Sequence, residues 1–534
     1  MSGIAVAPEA HTGEIADAVM RQGGNAADAA IAVAFAQGVL NPFHCGIGGT
    51  GTFLFKPARG PARLIDCSVT CGSGAVPDDW IADYRGRAEA FGRFIIGSEE
   101  NGMGYRSIMT PGFVRGCRTI VEQFGSGSVT WADLLQPAIR LAVEGFRVDR
   151  SLALLWTDTD DRPGYVSLLT KLKHDAEAKR IYLKPGAQPY AAGDRLALPD
   201  YGRSLEQLAA EGDSFYTGDI GRQIAADLEA NGSLVTGEDL TAYEVLEGQT
   251  VGGKFGKFDL TAAGGFASGT QVVEMLHILQ GFDVQRLEHN SAPYIQLLAK
   301  IMRASFLDNR HLKGDPPYSI GAELTRRFTS HRWAERWQDV IRSGAGLEGP
   351  PAPTGLGSET THLCAADGAG NFASFTHSLG SNAGAGVVTT GLGFLYNNYL
   401  GHFNPLPNQW DSIAPQKRGI GGAPVIVRKD GEPVLILGAS GGSRLITAVF
   451  QVIVNVLVWN MSVAEAVRQP RFHSEERQVI FLERAFPAGL DQVLARGGMT
   501  VRRSDYMARV QAIAAGPPGA GLTPGADPRL PVTA

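Results

Sequence analysis

The chain has 534 residues, of which 68 are glycine and 29 are proline, and 44% of its residues are hydrophobic. This composition provides enough apolar residues for a large core, and it excludes a collagen-like repeat and a low-complexity disordered chain. Lysine and arginine number 48 against 54 aspartate and glutamate residues, which gives a net charge of −6. Because a nucleic-acid-binding protein normally carries a basic surface, we expect no nucleic-acid partner.

The N-terminal region shows no basic start followed by an apolar run, so the sequence predicts no secretory signal. The longest apolar stretch, 445–461, is interrupted by polar residues and is predicted to be a buried helix. We therefore expect no membrane partner and a cytoplasmic location, with a trimmed secreted or periplasmic protein as the alternative. Among the five cysteines only Cys67 and Cys71 show a spacing like that of metal ligands, and no histidine pair lies beside them. The cysteines are therefore predicted to be reduced, buried thiols, and no metal site is expected.

The N-terminal region predicts two helices and a hairpin. An apolar repeat at helical spacing ends at a glycine pair, after which Asn25 can cap a second, alanine-rich helix over 26–37. A glycine cluster follows at 46–51. Alternating apolar residues then predict strands at 52–55 and 63–65, joined by a turn.

Residues 344–357 are the most linker-like segment, because glycine and proline are concentrated there. Two further hairpins are predicted after this segment from short apolar runs separated by glycine-containing turns. They pair 361–365 with 372–376, and 425–427 with 434–437. The C-terminal tail, 516–534, is again rich in proline and glycine and is predicted to be loose.

The motif Glu359-Thr360-Thr361-His362 follows the linker-like segment and begins a predicted strand. A threonine hydroxyl is a weak nucleophile unless a base lies beside it. If the chain were cut between Glu359 and Thr360, the new α-amine, with a reference pKa of about 7.7–8.0, would be such a base. On residue types alone the motif leaves catalysis and simple β propensity open.

A second motif, Gly-Ala-Ser-Gly-Gly-Ser-Arg at 438–444, precedes the apolar helix. Consecutive glycines let backbone N–H groups approach a ligand, and a helix N-terminus adds positive partial charge. An oxyanion hole requires both features. The alternatives are a tight strand-to-helix turn and a phosphate loop, although neither common phosphate-loop pattern fits this segment.

Together these motifs resemble the gamma-glutamyltranspeptidase family of N-terminal-nucleophile hydrolases, in the family order and through nearly the whole chain. The resemblance is carried by Gly23–Ala30, Gly46–Gly49, Thr110–Gly112, Gly314–Pro316, Thr360–His362, Asn397-Asn398, Gly441–Arg444 and Pro470–His473. It implies an α+β fold, a four-layer αββα sandwich. It also implies a proenzyme that cleaves itself before Thr360 into residues 1–359 and 360–534, which together form one structural unit.

The resemblance also implies the catalytic residues. Thr360 is the expected nucleophile, and Ser378 stands where the family has a second threonine whose hydroxyl contacts the nucleophile. Gly441 and Gly442 stand at the oxyanion glycines. The implied reaction forms an acyl-enzyme on Thr360, which water hydrolyses or a second amine accepts. The expected partners are a small-molecule amide and the two fragments of the precursor, and no metal or organic cofactor is expected.

The residues that hold the substrate differ from the family pattern. Members that take glutathione hold the α-carboxylate of the glutamyl group with an arginine and two serines, and the α-amine with asparagine, glutamine and aspartate. The corresponding residues here are Ser68, Gly421 and Gly422 for the carboxylate, and Gly380, Tyr399 and His402 for the amine. We interpret the three glycines as a binding site emptied for a different substrate.

Hydrogen bonds to charged groups contribute about 1.5–3 kcal/mol each, and a buried ammonium without an anionic partner is unfavourable. The acyl group is therefore predicted to differ from the standard gamma-glutamyl group. Tyr399 and His402 indicate a flatter, less charged or differently charged pocket, unless they are ordinary loop residues. Arg63, Arg115 and Arg418 are alternative ligands for a carboxylate.

Three functions follow from these observations. The first is a self-cleaving amidohydrolase or acyltransferase that acts on another acyl group. The second is a true glutathione hydrolase or gamma-glutamyltransferase with a rebuilt substrate clamp. The third is a non-catalytic binding protein that keeps the fold without processing, against which the intact motifs around Thr360 and Gly441 argue.

Overall fold

A computed structural model provides the fold. It describes residues 3–88, 94–265, 267–312, 322–344, 347, 359–409, 411–419, 421–475, 478–505, 507–516 and 521–530. The linker-like segment predicted at 344–357 lies almost wholly outside these residues. The motif segment 314–316 also lies outside them.

The strands are β1 (Ile4–Val6), β2 (Thr50–Lys56), β3 (Arg63–Cys67), β4 (Tyr84–Arg87), β5 (Phe94–Ile96), β6 (Phe146–Arg147), β7 (Arg195–Leu196), β8 (Leu246–Gly248), β9 (Thr250–Phe255), β10 (Phe258–Ala263), β11 (Glu359–Ala366), β12 (Phe372–Gly380), β13 (Val425–Lys429), β14 (Glu432–Ser440), β15 (Phe472–His473), β16 (Val479–Glu483), β17 (Thr500–Ser504), β18 (Arg509–Ala515) and β19 (Leu522–Ala526).

The helices are α1 (Thr12–Arg21), α2 (Ala26–Leu40), α3 (Phe113–Phe124), α4 (Trp131–Glu144), α5 (Arg150–Leu155), α6 (Leu168–His174), α7 (Ala176–Tyr182), α8 (Pro199–Glu211), α9 (Asp219–Ala230), α10 (Gly237–Thr241), α11 (Gly269–Leu279), α12 (Ala292–Leu312), α13 (Ala322–Phe328), α14 (His331–Ser343), α15 (Arg444–Leu457), α16 (Val463–Arg468) and α17 (Leu490–Arg496).

Two six-stranded antiparallel sheets organise the molecule. Sheet 1 has the order β1-β11-β12-β2-β3-β8, and sheet 2 has the order β19-β18-β14-β13-β10-β9. The three predicted hairpins are confirmed as β2–β3, β11–β12 and β13–β14. Each sheet combines strands from before and after Thr360. A cut at that position would therefore leave two fragments that share both sheets.

Successive side chains on a strand pack into different apolar clusters, one between the two sheets and one on the outer side of each sheet. On β2, Phe53 and Phe55 pack into the cluster formed with the helices outside sheet 1, whereas Leu54 packs between the sheets. On β13, Ile426 packs between the sheets, whereas its two neighbours pack against helices outside sheet 2. Because a strand alternates its side chains between two faces, each sheet is covered on both sides. The order is helices, sheet 1, sheet 2, helices, and the predicted α+β fold is confirmed.

The two helices predicted around the motifs are confirmed. Asn25 caps α2 through its side-chain oxygen, which accepts the N–H groups of Ala27 and Asp28, and Asp28 in turn accepts the N–H of Asn25 at 2.9 Å. All residues of α2 are buried, which explains its small, alanine-rich sequence. The apolar stretch forms α15, which ends at Leu457, four residues before the predicted end.

The prediction of a loose C-terminal tail is wrong for residues 521–530. Strand β19 extends sheet 2 by pairing with β18, and the fully buried carboxylate of Asp527 forms an ion pair with Arg471. Asp527 also accepts the Val510 N–H at 2.9 Å. The prediction was based on proline and glycine content. It failed because composition does not show that the segment pairs with a strand edge or that Asp527 meets a buried arginine.

The five cysteines are unpaired and buried, which confirms the predicted reduced thiols. Burial raises the pKa of Cys71 and Cys364 to about 12, so both thiols stay protonated near neutral pH. Among the helices that the structure describes, none is long and apolar enough to cross a bilayer.

Candidate active site

Thr360 lies at an irregularity in the ladder between β11 and β12. Thr361 pairs with His377, and the residue before Thr360 pairs with Gly380, so Thr360 alone opposes two residues of β12. Such a bulge changes the direction of a side chain. The Thr360 hydroxyl donates to the Ser378 hydroxyl at 3.1 Å, and Ser378 Oγ also accepts the Gly380 N–H at 2.9 Å. Two hydroxyls are therefore held together at the end of the ladder.

The strand that carries Thr360 faces sheet 2 through His362. The His362 Nδ1 lies 2.8 Å from Thr376 Oγ1, and burial lowers the pKa of the ring to about 3, so the imidazole is neutral. The ring lies against Gly438 of β14, where an added Cβ would be 2.2 Å from His362 Cε1. Gly438 is two residues from the end of β14, and His362 is two residues from Thr360. The end of β14 and the start of β11 therefore lie at the same end of the interface.

The opposite side of β11 is fixed by a polar cluster from the N-terminal region. Thr361 Oγ1 donates to Glu9 at 3.2 Å and accepts from Gln37 at 3.0 Å. Asn41 donates to the same Glu9 oxygen at 2.8 Å, and Gln37 Oε1 lies 2.9 Å from His377 Nε2. Sequence reasoning missed these residues, because their contacts with the strand join positions more than 300 residues apart and follow no local pattern.

Gly441 and Gly442 form the turn between β14 and α15. Their φ angles are 126° and 57°, in the region that strongly favours glycine. The turn follows directly from β14, and α15 begins at Arg444. The turn therefore places two backbone N–H groups at the N-terminus of a buried helix, where partial positive charge favours an anion.

The three glycines interpreted as an emptied binding site are in close contact with protein atoms. An added Cβ would lie 2.6 Å from Asn398 Oδ1 at Gly380, 2.4 Å from Thr52 Oγ1 at Gly421, and 2.5 Å from Thr376 Oγ1 at Gly422. Gly380 also has a φ of 103°. Neighbouring side chains therefore occupy the space beside these glycines, and the interpretation that they mark a site emptied for a different substrate stays a prediction.

The Tyr399 side chain occupies part of the space beside these glycines. Its ring lies beside two glycines, since an added Cβ would be 3.3 Å from the ring at Gly380 and 3.2 Å at Gly419. The rings of Tyr399 and His402 are 5.0 Å apart between centroids. Tyr399 belongs to a buried apolar cluster that includes Val69, Trp80, Met109 and Phe403. The structure thus joins two of the predicted substrate-binding residues in one aromatic pair against an apolar wall.

Ser68, which is predicted to bind the substrate carboxylate, is almost fully buried. Its N–H donates to Asp66 at 2.9 Å, and its carbonyl accepts the Tyr243 hydroxyl at 2.8 Å. The three arginines considered as replacement ligands have protein partners. These partners are Glu247 for Arg63 (2.5 Å), Asp213 for Arg115 (3.1 Å), and both Asp66 (3.8 Å) and the Glu244 carbonyl for Arg418.

The arrangement contains the groups that acyl transfer through a hydroxyl requires. Thr360 has a second hydroxyl beside it, and a glycine turn at a helix N-terminus lies at the same end of the interface. Within the residues that the structure describes, no cluster of three histidine, cysteine or acidic side chains is arranged to hold a metal ion.

Comparison with solved structures identifies the same overall fold in known enzymes. The cephalosporin acylase from Bacillus halodurans superposes with a TM-score of 0.85 at 23% identity, covering 99% of this chain and 94% of that chain. The gamma-glutamyltranspeptidase of Helicobacter pylori superposes with a TM-score of 0.56 at 24% identity, covering 64% of this chain and 93% of that chain. At these identities the likeness concerns the fold.

Two of its relatives are at least 30% identical in sequence to this chain. The glutathione hydrolase proenzyme of Escherichia coli (strain K12) is 30% identical over 99% of this chain and 90% of its own length. The acylase ACY 1 proenzyme of Pseudomonas sp. (strain V22) is 32% identical over 94% of this chain and 88% of its own length. The family model for gamma-glutamyltranspeptidase matches residues 12–534. The chain therefore belongs to the gamma-glutamyltranspeptidase family of enzymes.

Proposed function

We propose that this protein cleaves itself before Thr360 and then opens amide bonds through an acyl-enzyme on the Thr360 hydroxyl. We further propose that its acyl substrate differs from the standard gamma-glutamyl group. The observation that carries the proposal is the Thr360–Ser378 hydroxyl pair, held at 3.1 Å in a bulge at the end of β11. The relatives described as proenzymes support the self-cleavage.

In the proposed reaction, cleavage after Glu359 gives Thr360 a free α-amine. This amine takes the hydroxyl proton as Thr360 Oγ attacks the amide carbonyl, and Ser378 orients the hydroxyl. The N–H groups of Gly441 and Gly442 receive the oxyanion. The intermediate then expels the amine, which takes the proton from the α-ammonium, and leaves an ester on Thr360. Water, deprotonated by the α-amine, releases the acid, or a second amine takes the acyl group.

The proposal for the acyl group comes from the surroundings of Tyr399. A gamma-glutamyl group carries an ammonium and a carboxylate that need charged or amide partners. Here Tyr399 and His402 form an aromatic pair against an apolar wall, and the three candidate arginines are engaged with Glu247, Asp213 or Asp66. The relatives include a glutathione hydrolase and an acylase, and the experiment must distinguish these two activities.

A gel and a matched set of anilides test the proposal. Processing would divide the 56.7 kDa chain into fragments of about 38 and 19 kDa, in proportion to their length. The purified processed enzyme is then given the p-nitroanilides of gamma-glutamate, of glutarate (no α-amine), of 4-aminobutyrate (no α-carboxylate) and of butyrate (neither). These substrates differ only in the two charged groups.

We expect two fragments, and a kcat/KM at least about tenfold higher for an acyl group without the α-amine than for gamma-glutamyl, equivalent to about 1.4 kcal/mol. A higher kcat/KM for the gamma-glutamyl anilide would support the alternative of a glutathione hydrolase with a rebuilt clamp. A single full-length band without turnover would support the non-catalytic binding protein.

A further inference from the structure

A chain of hydrogen-bonded side chains lies directly behind the turn that carries the two candidate oxyanion glycines. The Ser443 hydroxyl donates to Glu475 Oε1. His473 Nε2 lies 2.8 Å from the same carboxylate oxygen, and His473 Nδ1 lies 2.9 Å from the Thr447 hydroxyl. These contacts join the first turns of α15 to the segment that follows β15.

This chain of side chains is buried, and the Glu475 carboxylate fixes the direction of two of its hydrogen bonds. Glu475 is 7% exposed and His473 is 2% exposed. The His473 ring contacts the rings of Phe306 and Phe481, at centroid distances of 5.7 and 6.3 Å. Burial lowers the pKa of His473, which leaves a neutral ring near neutral pH. A neutral ring with its proton on Nε2 donates to the Glu475 carboxylate, which can only accept, and its Nδ1 lies beside the Thr447 hydroxyl, which itself donates to the Arg444 carbonyl at 3.1 Å.

Ser443 is used in an unusual way at this position. It is the N-cap residue of α15, where a serine hydroxyl commonly accepts an N–H of the first helical turn. Here the side chain makes no such capping bond, and the hydroxyl donates to Glu475 instead. The carboxylate thus holds the residue that directly follows Gly442.

We propose that Glu475, itself held by His473, is a positioning residue that fixes the oxyanion turn through Ser443. This inference rests on the proposed function, because it assigns the turn a role in acyl transfer. Glycine has the largest conformational freedom of all residues, and two consecutive glycines at positive φ need an external constraint to present their N–H groups in one direction. Ser443 supplies that constraint one residue away, through a bond to a buried carboxylate.

The hydrogen bonds from Ser443 and His473 both end on the same oxygen of Glu475. In Glu475→Gln, the amide oxygen can still accept hydrogen bonds from both Ser443 and His473. In Glu475→Ala, both hydrogen bonds are lost. We expect Glu475→Ala to lower kcat on the best anilide by about 10- to 100-fold with KM changed less than about threefold. Glu475→Gln is expected to keep kcat within about threefold of the native enzyme.

A double-substitution cycle tests whether the residues act as a unit. Ser443→Ala is expected to lower kcat as much as Glu475→Ala, and the double variant to lose no more than either alone. Glu206→Ala, an exposed glutamate on α8, is the matched control and is expected to leave kcat unchanged. The thermal midpoint and the extent of processing are recorded for every variant. If Glu475→Ala does not fold, Ser443→Ala and Glu475→Gln decide the question.

Equal losses in Glu475→Gln and Glu475→Ala, an effect confined to KM, or fully additive losses in the cycle would overturn the inference. The proposed function is tested first, with native enzyme and Thr360→Ala on the same anilides. If native enzyme opens no amide, the proposed function and this inference both fail. If native enzyme is active and Thr360→Ala is not, but the Glu475 pattern is absent, only this inference fails.

Discussion

The two ends of the interface between the sheets have opposite characters, although the same strands run through both. One end is apolar and is built from Leu54, Cys364, Phe372, Ile426, Ile436 and Ile513. Towards the other end, the same faces of β11 and β12 carry His362, Thr376, Ser378 and Thr360, which are joined by hydrogen bonds. One continuous interface thus changes from packing to polar contacts within a few residues.

The difference shows how one fold separates stability from chemistry. Buried polar groups contribute little net stability, and they become costly when they lose their partners. Apolar side chains stabilise by burial alone. We therefore expect substitutions at the apolar end to change the free energy of unfolding, and substitutions at the polar end near Thr360 to change turnover. Four predictions test this division.

The largest expected effect is that of Thr360→Ala, which removes the proposed nucleophile. We expect a single 56.7 kDa chain on a denaturing gel and a loss of at least about 10⁴-fold in kcat. Thr500→Ala, an exposed threonine on β17, is the control and should process and turn over normally. Two fragments with retained activity in Thr360→Ala would contradict the assignment.

At the apolar end, Ile436→Ala is expected to lower the free energy of unfolding by about 2–5 kcal/mol, because it leaves a cavity between the sheets. Urea unfolding in the single-chain Thr360→Ala background measures this change. In the processed enzyme kcat should stay within about twofold of the native value. Leu246→Ala, an exposed leucine on β8, is the control, with an expected change below about 0.5 kcal/mol. A large fall in kcat with an unchanged free energy of unfolding in Ile436→Ala would contradict the division between stability and turnover.

At the polar end, Ser378→Ala removes the hydroxyl that accepts from Thr360 and from the Gly380 N–H. We expect kcat to fall about 100-fold, equivalent to about 2.7 kcal/mol, with a smaller change in stability. Ser378→Thr retains the hydroxyl and should recover most of the turnover. Steady-state kinetics on the preferred anilide measures both variants, and equal activity of Ser378→Ala and native enzyme would exclude an orienting role.

The fourth prediction concerns pH. Burial lowers the pKa of His362 to about 3 from 6.5, so between these values the unfolded chain binds a proton that the folded chain does not. Stability should therefore fall as pH decreases from about 6.5, by about 1.4 kcal/mol per pH unit from this residue.

The variant His362→Gln tests this contribution. It should reduce the dependence of the unfolding free energy on pH between about pH 6 and pH 4 by that amount. Thr500→Ala, which removes no titratable group, is the control and should leave the dependence unchanged. An unchanged slope in His362→Gln would show that this imidazole is not kept neutral by the fold.

The sequence predicts the parts of this arrangement that are local. Alternating residues and glycine turns predict the hairpins β2–β3, β11–β12 and β13–β14, and Asn25 predicts the start of α2. The α15 helix follows from its apolar composition. Each of these depends on neighbours within about 20 residues, where propensity and periodicity carry information.

Contacts between distant segments could not be predicted in the same way. Thr361 meets Glu9 across 352 positions, and Ser443 meets Glu475 through packing of α15 against the segment after β15. The glycine at 380 is explained by Asn398 and Tyr399, which fill the space beside it. A glycine in a sequence shows that a side chain is missing, and only the tertiary structure shows what occupies its place.

The central claim is that Thr360 becomes the N-terminal residue and carries the acyl group. Mass spectrometry of the purified enzyme, quenched during turnover of the preferred anilide, tests it directly. We expect a small fragment that begins Thr-Thr-His-Leu, with the mass of one acyl group added to Thr360 and lost on further incubation. A small fragment that begins at another residue, or an acyl group carried by a residue other than Thr360, would contradict the account.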